Sequence, residues 1–363
     1  MTTGPRVVVG CMTGTSLDAL DAAAVRISGM GLGADVELIA AGSWALGDLA
    51  WPLREVAEQK AMASGEIAAL ALRFGTFHAG CLGELVRSRA IAANLIAVHG
   101  QTVFHRPPVS WQMINPAPIA HALGVPVVFD LRQADLAAGG QGAPITPIAD
   151  AVLFRAAGDD FAVVNLGGFC NVTIVRGAGS GSLRVEGRDV CACNHVLDAA
   201  ARVGLGVAYD KDGGAAMRGV ADERAVAALK NVLFAQGKEA RSLGTGDEAM
   251  RWTAEFGAKL RGADLAASAC AAVGGVIADV VRGSTRVILA GGGVKNAALV
   301  GAIRGAARTP VVVSNDFGVP VDQREAMAMA VLGDLCRQRV PITLPGVTGC
   351  REPAPVAGYW VLP

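Results

Sequence analysis

Twice in this chain an apolar strand runs into a glycine-containing turn and returns as a second strand, and each time β/α segments follow. The first instance is Arg6-Val7-Val8-Val9, the loop Gly10-Cys-Met-Thr-Gly-Thr-Ser-Leu-Asp18 and the returning run Asp21–Ile27. The second is Phe161–Leu166, Gly167-Gly168 and Asn171–Val175. Such a pattern constrains the chain to an internally duplicated α/β architecture, although no direct sequence repeat accompanies it. The loops are also chemically suggestive. Gly10 and Gly14 allow a tight turn that brings backbone N–H groups close to an anion. Thr13, Thr15 and Ser16 add hydroxyl donors, and Asp18 adds a hard oxygen suited to Mg²⁺. An ordinary hairpin turn is the competing reading of each segment.

With 363 residues the chain is long enough for two domains. The runs Arg6–Cys11, Asp21–Ile27 and Asp35–Leu46 predict an antiparallel meander, because their connections are too short for a crossover helix. Glu66–Ala90 has helical apolar spacing, and Leu95–Val98, Ala117–Leu123 and Pro126–Phe129 predict strand, helix and parallel strand. Further helices are expected at Asn194–Arg202, Ala221–Leu233, Asp247–Leu260, Leu265–Arg282, Ala297–Ala307 and Gln323–Gln338, the last returning the chain to the first domain. Lys+Arg and Asp+Glu are both 32, which removes the electrostatic case for nucleic acid or an anionic membrane surface. Apolar runs are broken well short of the ~20 residues a membrane span needs, and no leader is evident, so a cytoplasmic protein is expected. The eight cysteines sit among apolar neighbours and read as buried, reduced thiols. Cys191 and Cys193 with His195 invite a metal reading, but no second pair completes a tetrahedral site, so packing is expected there.

Taken in order, further segments resemble one family. They are Gly10–Asp21, His99-Gly-Gln-Thr102 with His105-Arg-Pro107, Phe129-Asp-Leu-Arg132 with Asp135 and Gly139–Pro144, Asn165-Leu-Gly-Gly168 with Asn171 and Thr173, Tyr209–Gly213, Gly291-Gly-Gly-Val-Lys-Asn296 and Leu344–Gly349. Together they resemble the anhydro-N-acetylmuramic acid kinases over nearly the whole chain. The resemblance implies a two-lobed α/β fold of the actin-like ATPase (sugar kinase, ribonuclease H-like) type with nucleotide in the interdomain cleft. The expected domains are 1–132 plus 322–363, and 133–321. It also implies ATP and Mg²⁺ as cofactors, a small sugar as substrate, neither nucleic acid nor membrane as partner, and a homodimer.

Residue by residue, the resemblance assigns nucleotide binding to Gly14, Thr15, Ser16, Leu17, Asp18, Asp21, Asn165, Gly167, Gly168, Asn171, Gly291, Gly292, Gly293 and Asn296, with Asp18 toward the metal. His99, Gln101, Thr102, Asn194 and Glu325 are expected at the sugar. Asp189 is the expected general base, activating a water that opens a 1,6-anhydro bond so that the freed 6-oxygen takes the γ-phosphoryl group. Its structural alternatives are a solvated loop residue or a helix cap. Glu325 could instead complement a helix dipole, and Asp130 and Arg132 are read as structural. The family's Asp-Thr-Gly-Pro-Gly-Asn stands here as Asp189-Val-Cys-Ala-Cys-Asn194, and Gln112-Met-Ile-Asn115 and Thr245-Gly-Asp-Glu248 depart as well. Two cysteines in place of glycines would add bulk near a sugar. Rival expectations are therefore a kinase for another anhydro or free hexose, or a nucleotide-binding protein of this fold without activity.

Overall fold

In the computed structural model the described residues are 4–14, 16–178, 183–239, 247–354 and 357–363. The chain forms two compact units, one of residues 1–155 with 323–363 and the other of residues 156–322. The first unit opens with β1 (Arg6–Thr13), β2 (Ala19–Ser28), β3 (Asp35–Ala45), α1 (Ala50–Ala57), α2 (Ser64–Ser88), β4 (Leu95–Val98), β5 (Gln101–Arg106), β6 (Val109–Met113), α3 (Ala117–Leu123), β7 (Val127–Phe129), α4 (Gln133–Ala137) and α5 (Pro147–Leu153). The second contains β8 (Phe161–Leu166), β9 (Phe169–Arg176), β10 (Arg184–Ala192), α6 (Asn194–Leu205), α7 (Glu223–Glu239), α8 (Asp247–Gly257), α9 (Gly262–Val280), β11 (Arg286–Ala290), α10 (Ala297–Ala306) and β12 (Val311–Val313). The chain then rejoins the first unit with α11 (Arg324–Arg337), α12 (Pro345–Thr348) and β13 (Tyr359–Val361).

The duplication expected from the glycine turns is visible in the sheets. The first runs β13-β7-β4-β1-β2-β3, with β1, β2 and β3 an antiparallel meander and β4 and β7 parallel to β1. The second runs β10-β9-β8-β11-β12, with β8, β9 and β10 the meander and β11 and β12 parallel to β8. Numbered within its own sheet, the second has the strand order 3-2-1-4-5, and the first repeats that order and adds β13 antiparallel beyond β7; this is the ribonuclease H-like frame of the actin-like ATPase fold. One face of the first sheet (Val9, Cys11, Leu20, Ala22, Ala24) packs with α2 and α3 residues such as Phe74, Leu82 and Ile119. The matching face of the second sheet (Ala162, Val164, Leu166, Cys170, Val172) packs with residues of α6, α7 and α9.

Helix α11 covers the other face of the first sheet, and two buried ion pairs fix it. Arg324 is bonded through two nitrogens to the carboxylate of Asp150 on α5, and Arg6 Nε donates to Asp334 Oδ1 at 2.6 Å. The Asp150 pair is why residues 133–155, assigned from sequence to the second domain, pack in the first unit. Gly10 is also placed differently from its expected role. It lies within β1, and a Cβ there would fall 2.1 Å from the Ala326 carbonyl oxygen of α11, so this glycine serves helix-on-sheet contact instead of anion binding. Helix α9 is long and apolar enough by length and composition to cross a membrane, contrary to the expectation from apolar runs, but much of it is buried in the core of its own unit.

Candidate functional site

The second unit holds half of the predicted site residues. Strand β8 ends on Asn165-Leu166, Gly167-Gly168 makes the turn, and β9 returns through Asn171. Asn165 is the cross-strand partner of Asn171, which is in turn the partner of Asp189 on β10. Directly opposed residues project from the same face of a sheet, so Asn165, Asn171 and Asp189 form one polar row across three strands. Their face is opposite to that of Leu166 and Cys170, which enter the helix-packed core.

Asp189, the expected general base, is neither of its structural alternatives, a loop residue or a helix cap; it lies in a strand that the sequence pattern did not reveal. The register shifts between Asp189 and Cys191, a bulge in which Val190 is the extra residue. Beyond the bulge, Cys191 pairs with Cys170 on the core side, and Val190, Cys191, Ala192 and Cys193 are all buried. The two cysteines that replace glycines therefore add bulk to the core and not to the open face. Burial pushes the Cys191 thiol up to about 12, and burial first, with neighbouring acidic groups adding to it, raises Cys170 and Cys193 well above the ordinary thiol value. Among the described residues there is no group of three or more His, Cys, Asp or Glu suited to a metal.

The glycine triplet closes on this hairpin. A Cβ on Gly291, whose φ is +82°, would fall 2.6 Å from Asn165 Oδ1, and one on Gly293 would fall 2.7 Å from Leu166 Cβ. Gly292 alone of the three has open space around it. Two of the glycines thus let the turn seat against β8, and the third borders a cavity. That cavity, about 370 Å³, is lined by Asn194, Asp198, Tyr209, Asp210, Lys211, Gly292 and Asn296, among others. Asn296 caps α10 by accepting from the Leu299 N–H at 2.9 Å, and a Cβ on Gly213 would fall 2.2 Å from its Oδ1. The carboxylate of Asp210 accepts from the N–H groups of Ala215 and Ala216 at 2.9 and 2.8 Å, which holds the Tyr209–Gly213 turn in place. Asp198 has its pKa raised by burial, opposed by the positive charge of Arg202 and by His195. Sequence reasoning gave no role to Asp198 or to Tyr209–Asp212; the signal for the latter was a polar Tyr-Asp-Lys-Asp-Gly block too dense for an ordinary turn.

The first unit holds a separate polar cluster at the ends of β1 and β4. Thr13 Oγ1 donates to Gln101 Oε1 at 2.8 Å, with both residues buried. His99 follows β4, donates from Nδ1 to the Gly100 carbonyl at 2.8 Å and accepts at Nε2 from Arg132 Nη2 at 3.0 Å. That pattern belongs to the neutral imidazole, and burial, then the Arg132 charge, pushes its pKa down to about 3. Arg132 also donates to the Gly142 carbonyl at 2.9 Å; burial lowers its pKa to about 10, with Asp130 and Glu325 acting in the opposite direction. Glu325, in the first turn of α11, is thereby placed within electrostatic reach of the guanidinium. Thr102 begins the β5–β6 hairpin, where Gln112 Nε2 lies 3.4 Å from its hydroxyl. Gln112 belongs to one of the departing segments, whose Ile114 and Asn115 pack against Gly100 and Gly75.

The β1–β2 loop carries Gly14, Ser16, Leu17 and Asp18, with Leu17 at φ 59° and its N–H bonded to the Gly14 carbonyl at 3.2 Å. Arg54 of α1 donates to the Ser16 carbonyl at 3.0 Å, and the side chains of Ser16 and Asp18 are exposed. Asp21 lies within β2 as the partner of Met12. Thr15 and the Thr245-Gly246 pair fall outside the described residues.

The comparisons follow this geometry. The profile of the family described as Anhydro-N-acetylmuramic acid kinase matches residues 6–360. The chain belongs to that family. An anhydro-N-acetylmuramic acid kinase from Gloeobacter violaceus is 34% identical over 375 residues, covering 97% of this chain and 98% of the relative. One from Paraburkholderia xenovorans is 33% identical, covering 94% of each. Among solved structures, a ROK family glucokinase from Streptomyces griseus in complex with glucose and AMPPNP aligns with TM-score 0.39 at 14% identity, covering 92% of this chain and 99% of that one.

Proposed function

We propose that this kinase uses ATP to phosphorylate the 6-oxygen of a 1,6-anhydro amino sugar of the anhydro-N-acetylmuramic acid type, opening the anhydro bond with water, as part of cell-wall recycling in the cytoplasm. The observation that carries this reading is the row Asn165–Asn171–Asp189 beside a glycine hairpin, in a chain of this family. Eight unpaired cysteines agree with a reducing compartment.

Donor elements are assigned to the second unit. The cavity bordered by Gly292, Tyr209 and Asn296 takes the nucleoside, and the Gly167-Gly168 turn takes phosphate oxygens. In the first unit, the exposed loop from Gly14 to Asp18 offers further anion contacts, while His99, Gln101, Thr102 and Glu325 are the sugar-recognition set. With its pKa pushed down, His99 stays neutral and presents Arg132 in a fixed orientation, so the cluster can receive a sugar hydroxyl or carboxylate without itself changing charge near neutral pH.

Asp189 accepts a proton from water as its oxygen bonds to C1. The C1–O6 bond breaks, O6 bonds to the γ-phosphorus, and the bond from phosphorus to the ADP oxygen breaks. The half-exposed position of Asp189 at a strand bulge allows it to meet both water and substrate. Bound Mg²⁺ would neutralise charge on the phosphates; Asp18, an exposed carboxylate on the β1–β2 loop, is the residue to hold it. The absence of a three-residue metal cluster among the described residues suits an ion held mainly by phosphates and water.

Turnover in H₂¹⁸O tests the reading. Label should appear in the C1 hydroxyl of the 6-phosphate when product is read before mutarotation exchanges it, and Asp189→Asn should abolish turnover while ATP still binds. ADP release from free hexoses with no label at C1 would assign the chain to direct phosphorylation of a hydroxyl, and ATP binding without turnover of any sugar would make it an inactive relative.

A further inference from the structure

His195 is the second residue of α6 and has no part in the assignments above. Its side chain is exposed, unlike the buried residues before it on β10. Three observations fix where the imidazole lies. A Cβ built on Gly168 would fall 2.5 Å from His195 Nε2 and 2.9 Å from Cε1, so the nitrogen-bearing edge of the ring occupies the space over that glycine. The ring meets Phe169 edge-on, with centroids 5.0 Å apart. The His195 backbone N–H is bonded to the Gly168 carbonyl at 3.3 Å. The imidazole is thus held by the same hairpin that would carry phosphate, with a ring nitrogen at its apex.

We propose that His195 is a phosphate-contacting residue: its Nε2–H donates a hydrogen bond to an oxygen of the donor polyphosphate seated on Gly167-Gly168. This rests on the donor assignment given under Proposed function. The absence of a side chain on Gly168 is what allows the ring to reach over the turn, and Phe169 restricts its rotation, so the donor is positioned before nucleotide arrives. A hydrogen bond to a charged partner contributes about 1.5–3 kcal/mol, so its loss corresponds to at least roughly tenfold in affinity.

The test measures affinity of the full chain for ATP and for adenosine by calorimetry, with wild type, His195→Phe, His195→Gln and His195→Ala. His195→Phe keeps an aromatic ring against Phe169 but removes the donor. It should weaken ATP about tenfold or more, leave adenosine affinity and the melting temperature unchanged, and leave the sugar KM unchanged. His195→Gln, which retains an N–H, should recover part of the loss. If His195→Phe binds ATP as wild type does, or loses ATP and adenosine equally, the ring is only packing and the proposal is overturned. If the wild type binds neither ligand, the donor assignment itself falls, and this inference with it.

Discussion

Two buried histidines in the first unit make its stability acid-sensitive by an amount that can be worked from their surroundings. His78 on α2 is fully buried against Phe74 and Phe77. Its Nδ1 donates to the Phe74 carbonyl at 2.8 Å, and Nε2 has no partner. Burial pushes its pKa down from 6.5 to about 4, and that of His99, with Arg132 adding to burial, from 6.5 to about 3. Because the folded state resists protonation, the unfolded chain takes up these protons first. Stability is therefore fully present above pH 6.5 and declines as pH falls toward the folded values. At about 1.4 kcal/mol per pH unit, His78 alone costs about 3 kcal/mol by pH 4, and with His99 and the partly buried His105, lowered to about 4 by burial and then by Arg132, titrating in parallel the slope near pH 5 approaches about 4 kcal/mol per pH unit. Hydrogen exchange of α2 and β4 amides, or urea unfolding of the first unit, measured from pH 7.5 to 4.5 reads this slope directly. His78→Leu fills the apolar site without a titrating group and should reduce the slope by about a third. A His78→Leu profile parallel to wild type, or a wild-type profile flat between pH 6.5 and 5, would refute the assignment of buried neutral imidazoles.

Other perturbations test the scaffold and the site. Arg324→Met removes the guanidinium from the fully buried Asp150 carboxylate and should cost about 3–5 kcal/mol in chemical denaturation, whereas Arg324→Met combined with Asp150→Leu should recover much of that loss. Gly10→Ala should destabilise the first unit measurably, since the added Cβ meets α11 backbone that cannot yield as a side chain would. Gly293→Ala, with its Cβ 2.7 Å from Leu166 Cβ, should weaken nucleotide binding, whereas Gly292→Ala, open on all sides, should retain the fold in a thermal melt. Asp130 is a buried residue at φ 51° whose Oδ1 has no partner and whose pKa is raised by burial. Asp130→Asn, which tolerates the same backbone conformation and removes the buried charge, should leave the melting temperature at pH 7 unchanged or raise it.

The elements legible in the sequence were those whose periodicity is enforced by one buried face. Helix α2, expected at 66–90 and found at Ser64–Ser88, shows Leu70, Phe74, Leu82 and Leu85 buried on one side. The hairpin strands were readable because β1 and β8 are apolar on both faces and stop abruptly at glycine. Strand β10 was not readable: Arg184, Glu186 and Arg188 alternate with Val185 and Gly187 as in a strand, but the bulge at Val190 breaks the period where Cys191 and Cys193 draw attention to metal chemistry. The β5–β6 hairpin was missed for a related reason. Its polar residues bond to one another and to neighbours, with His105 Nδ1 and Gln112 Nε2 each 2.9 Å from Ser110 Oγ and Gln101 accepting from Thr13, instead of alternating with apolar partners. Gly10 and the glycine triplet illustrate a different limit, because sequence identifies a need for glycine but not whether a ligand, a helix or a neighbouring strand creates it.

The duplicated frame also explains how one topology can carry two chemistries. Counted back one residue from the end of the first strand, the row across the meander is Met12–Asp21–Ser43 in the first unit and Asn165–Asn171–Asp189 in the second. Each row lies on the face opposite its unit's α2–α3 or α6–α9 core, so polar side chains at these positions do not disrupt the main packing. The first row carries its carboxylate on the middle strand, whose loop supplies hydroxyls and Asp18. The second carries it on the third strand, immediately before a bulge and the start of α6. The bulge accommodates Val190 between Asp189 on the open face and Cys191 in the core, so the carboxylate proposed as general base and a close-packed strand end occupy neighbouring positions. Deleting Val190 would make Asp189 and Cys191 consecutive and still opposite Asn171 and Cys170, so both would keep their faces and only the local bend of the bulge and the buried Val190 side chain would be lost. Thermal denaturation of the deletion should report a loss of stability that Asp189→Asn lacks, while turnover should fall less than in Asp189→Asn; an equal fall in turnover would show that the bend of the bulge, and not the face alone, sets the carboxylate's position.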